Sequence, residues 1–304
     1  MKPTPAHFLL PFLVFSACAT PQADPKLPDL LTEEYQEPSG RGPMAVGDLM
    51  VECERHLRSW KSLMSAPRST SNRSAIATTE KAIATLAHRE QPQLEKIAVS
   101  GAPRNRAIAS AALGFCADPA ALPLLLNNVS AEDDLVASSA LLGLGMLADE
   151  STALSPVYER VMDINATDSI LQNAAFATLR IADKLRNDEN GTLSSIMVAL
   201  LGSELPKVRG QALIGLGLIK AAHTVPLLQE KLKDDIPDNR LAAAWALGEI
   251  SSIGSTPSLL EALSDEDTLV AGAARAALAK IYGQDWGKNA DDWATPIEAA
   301  TIQK

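Results

Sequence analysis

Between residues 105 and 283 one helical phrase is written six times. With Arg106, Ala137, Gln172, Arg209, Arg240 and Ala271 aligned as one position, the residue three later is Ala in every copy: Ala109, Ala140, Ala175, Ala212, Ala243, Ala274. The residue seven later is always Leu: Leu113, Leu144, Leu179, Leu216, Leu247, Leu278. A small residue precedes each Leu (Ala112, Gly143, Thr178, Gly215, Ala246, Ala277), and ten places after the start lie Cys116, Leu147, Ala182, Ile219, Ile250 and Ile281. Offsets of 3, 7 and 10 share one face of an α-helix, so each copy predicts a helix whose narrow seam of small side chains lets a neighbour approach closely. The Leu positions are spaced by 31, 35, 37, 31 and 31 residues. A period of that size belongs to stacked units, none of which can bury its apolar face alone.

A second helix follows in each copy. Pro123, Pro226 and Pro257 each lie nine residues after Gly114, Gly217 and Gly248. Gly is expected to end the first helix and Pro to open the next, with Leu124–Leu126, Leu227–Leu228 and Leu259–Leu260 as its apolar face. Each unit is thus a helical pair, and the expected fold is an all-α, right-handed α-solenoid with essentially no strand. Composition agrees. Hydrophobic residues make up 46% of the 304, yet only five Phe, four Trp and three Tyr are aromatic. A core of Ala and Leu suits thin helical layers. The pattern departs in the third copy, where Arg180 replaces Gly and Asn187–Gly191 forms a longer loop, and in the second, where Pro156 comes two places late.

Written as Asn-Arg-Leu-Ala-Ala-Ala-Trp-Ala-Leu-Gly-Glu-Ile at 239–250 and Val-Arg-Gly-Gln-Ala-Leu-Ile-Gly-Leu-Gly-Leu-Ile at 208–219, the phrase resembles the short bacterial HEAT repeats first named from phycobilin lyases. The resemblance implies that the first helix of each pair lines the concave side of the solenoid. The family's Arg near the start of that helix stands only at Arg106, Arg209 and Arg240, so any ladder it builds is incomplete. Residues 44–104 are expected to form an N-terminal helical cap of degenerate units. Leu49, Cys53, Leu57, Trp60 and Met64 share one helical face there, followed by helices around Ile76, Ile83 and Leu86 and around Leu94 and Ile97. Residues 284–304 are expected to cap the other end. Tyr282-Gly283-Gln284-Asp285-Trp286-Gly287 and Trp293 resemble the tail that closes such bacterial arrays, two Trp rings covering the last apolar face.

The first 17 residues read as a secretion signal, Lys2 preceding the apolar run Phe8–Phe15, which is too short to span a bilayer. Phe15-Ser16-Ala17-Cys18 resembles the lipobox of bacterial lipoproteins, which implies a lipidated Cys18 as the mature first residue. Ala19 after it implies the periplasmic face of the outer membrane. Residues 18–43 hold Pro and acidic side chains with Leu30–Leu31 as the one apolar pair to bury, the composition of a flexible tether. Extended, it reaches roughly 80 Å from the membrane.

The formal net charge of −10 disfavours nucleic acid as a partner. His56, His88 and His223 have no Cys or His at metal-ligand spacing, and they precede Leu57, Arg89 and Thr224 rather than the Glu of the di-iron HEAT-repeat hydroxylases. No catalytic residue, metal or cofactor is expected. Cys53 and Cys116 occupy apolar helical positions and read as buried hydrophobes rather than a disulfide. A partner-binding stripe is sought five places into each repeat helix: Ala111, Leu142, Ala177, Ile214, Trp245 and Ala276. Such a stripe also serves packing between units. Trp245 alone is aromatic, so either a neighbouring unit leaves a matching gap or the ring enters the groove. The candidate site is Trp245, Ile214 and Leu142, with Arg209 and Arg240 as polar rim. The expected function is a membrane-anchored scaffold binding another protein at the bacterial cell envelope. The alternative is a bilin-lyase-like enzyme or an accessory subunit of an enzyme, since bilin lyases share these repeats; it would need acidic or thiol chemistry in the groove.

Overall fold

The computed structural model describes residues 42–67 and 69–302. The signal segment, Cys18 and almost all of the tether lie outside the described residues. Within them the chain is an all-α solenoid, fifteen α-helices with short 3₁₀ turns and no strand. No helix among the described residues is long and apolar enough to cross a membrane.

Two layers alternate. The six repeat helices, α4 (Pro103–Leu113), α6 (Asp134–Leu147), α8 (Asp168–Leu185), α10 (Pro206–Leu218), α12 (Pro237–Ile250) and α14 (Thr268–Tyr282), stack side by side in chain order. The short helices α5 (Leu122–Val129), α7 (Ser155–Met162), α9 (Thr192–Leu200), α11 (Val225–Lys231) and α13 (Thr256–Ala262) each lie against the long helix that follows. The aligned Ala and Leu carry the seam: Ala109, Ala140, Ala243, Ala274, Leu113, Leu144, Leu216, Leu247 and Leu278 are completely buried. Pro123, Pro226 and Pro257 open α5, α11 and α13 as expected, where a missing N–H costs nothing. Asp133 and Asp267 cap α6 and α14, each accepting from the backbone N–H two residues on.

Of the three glycines expected to end a long helix, Gly114 does so, as the C-cap of α4, and the other two do not. Gly217 and Gly248 lie inside α10 and α12, and the long helices turn off instead at left-handed residues: Ala117, Ala148, Arg186, Lys220, Ser251 and Gly283. Only the last is Gly. All three glycines mark helix crossings. A Cβ on Gly114 would stand 2.2 Å from the carbonyl oxygen of Gly143, and one on Gly248 2.9 Å from the Cα of Ala277.

The N-terminal helices also depart from a simple end cap. α3 (Gln91–Ser100) extends the short-helix layer ahead of α4, but α1 (Val46–Ser65) and α2 (Thr70–Arg89) form a hairpin that lies along the stack. α1 begins beside α3, where the Gln93 side-chain amide donates to the Met44 carbonyl at 3.0 Å. Near its other end Trp60 meets Phe115 edge-on at 5.6 Å and Phe176 at 6.2 Å, the latter on α8 in the third unit. At the far end the tail continues into α15 (Asp291–Ile302). There Trp293 is fully buried, donates to the Gly287 carbonyl at 2.9 Å and packs against Trp286 and Tyr282.

Candidate interaction site

Five of the six long helices present a line of residues two before, one after, five after and nine after the aligned start; in α8 the face shifts by one residue, to Phe176. In the first two units these lines are Arg104, Ala107, Ala111, Phe115 and Leu135, Ser138, Leu142, Met146. In the last three they are Lys207, Gly210, Ile214, Leu218; Asp238, Leu241, Trp245, Glu249; and Leu269, Gly272, Ala276, Lys280. The same lines meet opposite fates at the two ends of the stack.

Over the first three units the face is occupied by the chain itself. Leu57 and Trp60 of α1, Ile76 and Ile83 of α2, and Ala111, Phe115 and Leu142 of the long helices form one buried cluster, with Met64, Met146 and Phe176 packed around it. Trp60 donates its indole N–H to Glu80 at 2.9 Å, fixing α1 to α2. Arg104, at the edge of the face, grips both carboxylate oxygens of Glu54 on α1 at 2.9 and 2.8 Å. Arg104 and then Arg58 hold the Glu54 carboxyl below the usual range. Leu142 was expected to line a partner groove. At 3% exposure it belongs instead to this core, because the α1–α2 hairpin covers it.

Beyond Phe176 nothing among the described residues covers the face. Ile214, Leu241 and Trp245 are half-buried, while Leu269, Gly272 and Ala276 are exposed. Trp245 has both properties that the sequence posed as alternatives. A neighbouring gap does exist, since Gly217 leaves the space its Cζ3 fills, and the ring is still partly open. Its indole N–H has no acceptor among the described residues, whereas those of Trp60 and Trp293 do. A half-buried aromatic with a spare donor is what interface anchors offer.

Arg209 and Arg240 are not rim residues. Both are buried, at 9% and 8% exposure, and both are consumed by repeat-to-repeat rungs. Arg209 binds Asp234 through two bonds of 2.8 and 2.9 Å, reaches Asp235 at 2.7 Å, and donates to the carbonyls of Ser203 and Glu204. Arg240 repeats the geometry with Asp265 at 2.8 and 2.9 Å and the Asp234 carbonyl at 3.1 Å. Each guanidinium thus ties the loop before its own helix to the loop that closes its unit. Burial pushes the Asp234 carboxyl up, but Arg209, the Ile236 N–H and the Asn239 amide outweigh it and hold the group well below the usual range. Arg240 does the same to Asp265. In the first unit Arg106 meets the neutral Asn128 at 2.7 Å. In the second, where Ala137 stands at the ladder position, Arg160 comes from the short helix instead and binds Asp134 at 2.5 Å and Asp163 at 3.9 Å. The sequence signal for the two full rungs was present but unread: an Asp 25 residues after each Arg.

Cys53 and Cys116 are free and buried. Burial pushes both thiols up to about 12, so neither is a thiolate nucleophile near neutral pH.

Residues 194–279, from α9 through α14, match the family model of HEAT repeats. No curated protein matches the chain. Among solved structures, a designed armadillo repeat protein in complex with the peptide (KR)4 is similar at a TM-score of 0.47 and 18% identity, covering 74% of this chain and 98% of that one. Human deoxyhypusine hydroxylase gives 0.38 at 18% identity, covering 79% and 99%. The complex of CpcE and CpcF of phycocyanin lyase from Nostoc sp. gives 0.37 at 15% identity, covering 83% and 91%.

Proposed function

We propose that the protein is a non-enzymatic scaffold of the bacterial cell envelope, anchored through lipid on Cys18, that binds another protein on the long-helix face of its last three units. The observation that carries the binding reading is the contrast along one continuous face. Its first half is buried under α1 and α2, while its second half leaves Trp245, Ile214 and Leu241 only half-buried. Monomeric surfaces rarely leave aromatic and aliphatic side chains aligned and uncovered unless something docks there. The anchor reading rests on the sequence Phe15-Ser16-Ala17-Cys18 after an apolar run. The bilin-lyase-like alternative receives no support from the thiols, which stay protonated near neutral pH.

A photo-crosslinking residue placed at Ala276 in the full chain, in cells, tests the reading. A discrete crosslinked protein that disappears when Trp245→Ala is added is expected. Absence of any crosslink, or one indifferent to Trp245, overturns it.

A further inference from the structure

The hairpin that covers the first three units shows how this face is filled. α1 is an amphipathic helix laid along the stack, seating Leu57 and Trp60 on the apolar centre and Glu54 on the cation at the edge, Arg104. It stops at Ser65, and its last aromatic contact is Phe176 in the third unit. The same line continues through Ile214 on α10, Trp245 on α12 and Ala276 on α14 with no helix among the described residues on it. Long helices packed about 8–10 Å apart put the ends of this stretch roughly 20 Å from each other. That is the length of about 13 helical residues.

The edge charge differs between the two halves. The position held by Arg104 in the first unit is Asp238 in the fifth, and it is exposed. Around it stand the exposed Asp235 and Glu266. The cations that touch this edge do not neutralise it: Arg209 is shared between Asp234 and Asp235, Arg240 between Asp265 and Glu266, so each rung keeps a net negative charge, and Lys233 pairs with Glu261 at 3.0 Å. Lys207, one unit back, is the exception at the edge, and Glu249 with Lys280 forms a neutral pair at 2.6 Å on the opposite side.

Resting on the proposed scaffold reading, we infer that the occupant of this face is a basic amphipathic helix of a partner protein. It lies in line with α1, its apolar side on Trp245, Ile214 and Leu241, its Lys or Arg flank over Asp238 and its acidic neighbours. This is helix-in-groove recognition with the edge polarity of α1 reversed.

The test uses the purified full chain and two fluorescein-labelled 14-residue helical peptides with an identical Leu/Trp face, one flanked by Lys and one by Glu, read by fluorescence anisotropy. The Lys peptide is expected to bind at least tenfold more tightly than the Glu peptide, and Trp245→Ala to weaken it at least tenfold. Asp238→Lys, an exposed change that leaves the fold intact, is expected to abolish or invert the preference. Equal binding of the two peptides, tighter binding of the Glu peptide, or indifference to both substitutions overturns the inference. If those peptides fail while the Ala276 crosslink remains Trp245-dependent, the helix inference falls and the scaffold reading stands. If the crosslink fails as well, both fall.

Discussion

Trp245 sits on an absent side chain: a Cβ on Gly217 would come within 2.7 Å of its Cζ3 and 2.8 Å of the Cα of Ala246. Gly inside a helix costs about 1 kcal/mol relative to Ala, and Gly217 in the last turn of α10 is explained by the helix crossing, since the left-handed residue that ends the turn is Lys220.

Gly217→Ala therefore sets a propensity gain of about 1 kcal/mol against an overpacking cost of about 1–3 kcal/mol. A net loss of stability is expected in urea unfolding, with a shift in tryptophan emission. Gly272→Ala is the control. Nothing lies within 4 Å of its Cβ, so the propensity gain should appear as a stabilisation of roughly 0.5–1 kcal/mol.

Leu216 and Leu247 are fully buried between long helices. Their replacement by Ala should cost about 2–5 kcal/mol each. Trp245→Ala, by contrast, should cost less in stability than either while weakening partner binding at least tenfold, about 1.4 kcal/mol. Thermal melts paired with binding titrations on the same variants decide between an anchor and a core residue.

The Arg209–Asp234 and Arg240–Asp265 rungs have a pH signature. Both carboxyls titrate below the ordinary Asp value of about 3.9, so the folded state holds them ionised where the unfolded chain would take up protons. Their contribution is complete above about pH 5 and drains away as pH falls through about 4 towards the folded values. The rungs should add no pH dependence to wild-type melting from about pH 5 to 8 and should add an acid limb below it. Asp234→Asn should lose about 3 kcal/mol at neutral pH, because it strands a buried guanidinium, and should show a shallower acid limb.

Trp60 joins α1 to α2 through Glu80 and both to the repeats through Phe115 and Phe176. Trp60→Ala should cost about 3–5 kcal/mol locally. Limited trypsin digestion should then cut within residues 46–89 while the repeat stack from α4 onward stays intact. Uniform digestion of the whole chain would show that the hairpin and the stack unfold as one unit.

For the anchor, Cys18→Ser should move the protein from the membrane fraction to the soluble periplasm, since each buried acyl CH₂ contributes about 0.8 kcal/mol. Fractionation and immunoblotting read it directly. Unchanged retention would assign membrane binding to the folded body.

The long helices were legible because Ala109 and Leu113, with their five sister pairs, all meet the neighbouring helices and so repeat with the period of the stack. Helix ends were not. Ala117, Ala148, Lys220 and Ser251 adopt left-handed backbone without being Gly, since packing on both sides of the turn dictates the stop, and Gly217 drew attention to the wrong place. Leu57, Trp60 and Met64 announced an apolar helix face, but amphipathicity says that something covers a face, never which surface does so. That missing step buried Leu142, which lies under the hairpin. Trp245 stood out from its sisters because volume is readable from sequence, and its gap at Gly217 was readable too, one unit back in the same phrase.

The rungs also decide how a gene for such a chain is free to grow. Arg209 to Asp234 and Arg240 to Asp265 span the same 25 residues, so a tandem duplication that copies the 31-residue register here delivers a new Arg, a new Asp and a new loop already in the correct partnership. Towards the N-terminus that exchange fails. One rung ends on Asn128 and another borrows Arg160 from the wrong helix, so a spliced copy would arrive with a mismatched joint. Length is thus evolvable at one end only. Each added module would lengthen the exposed track and leave the seat of α1 untouched.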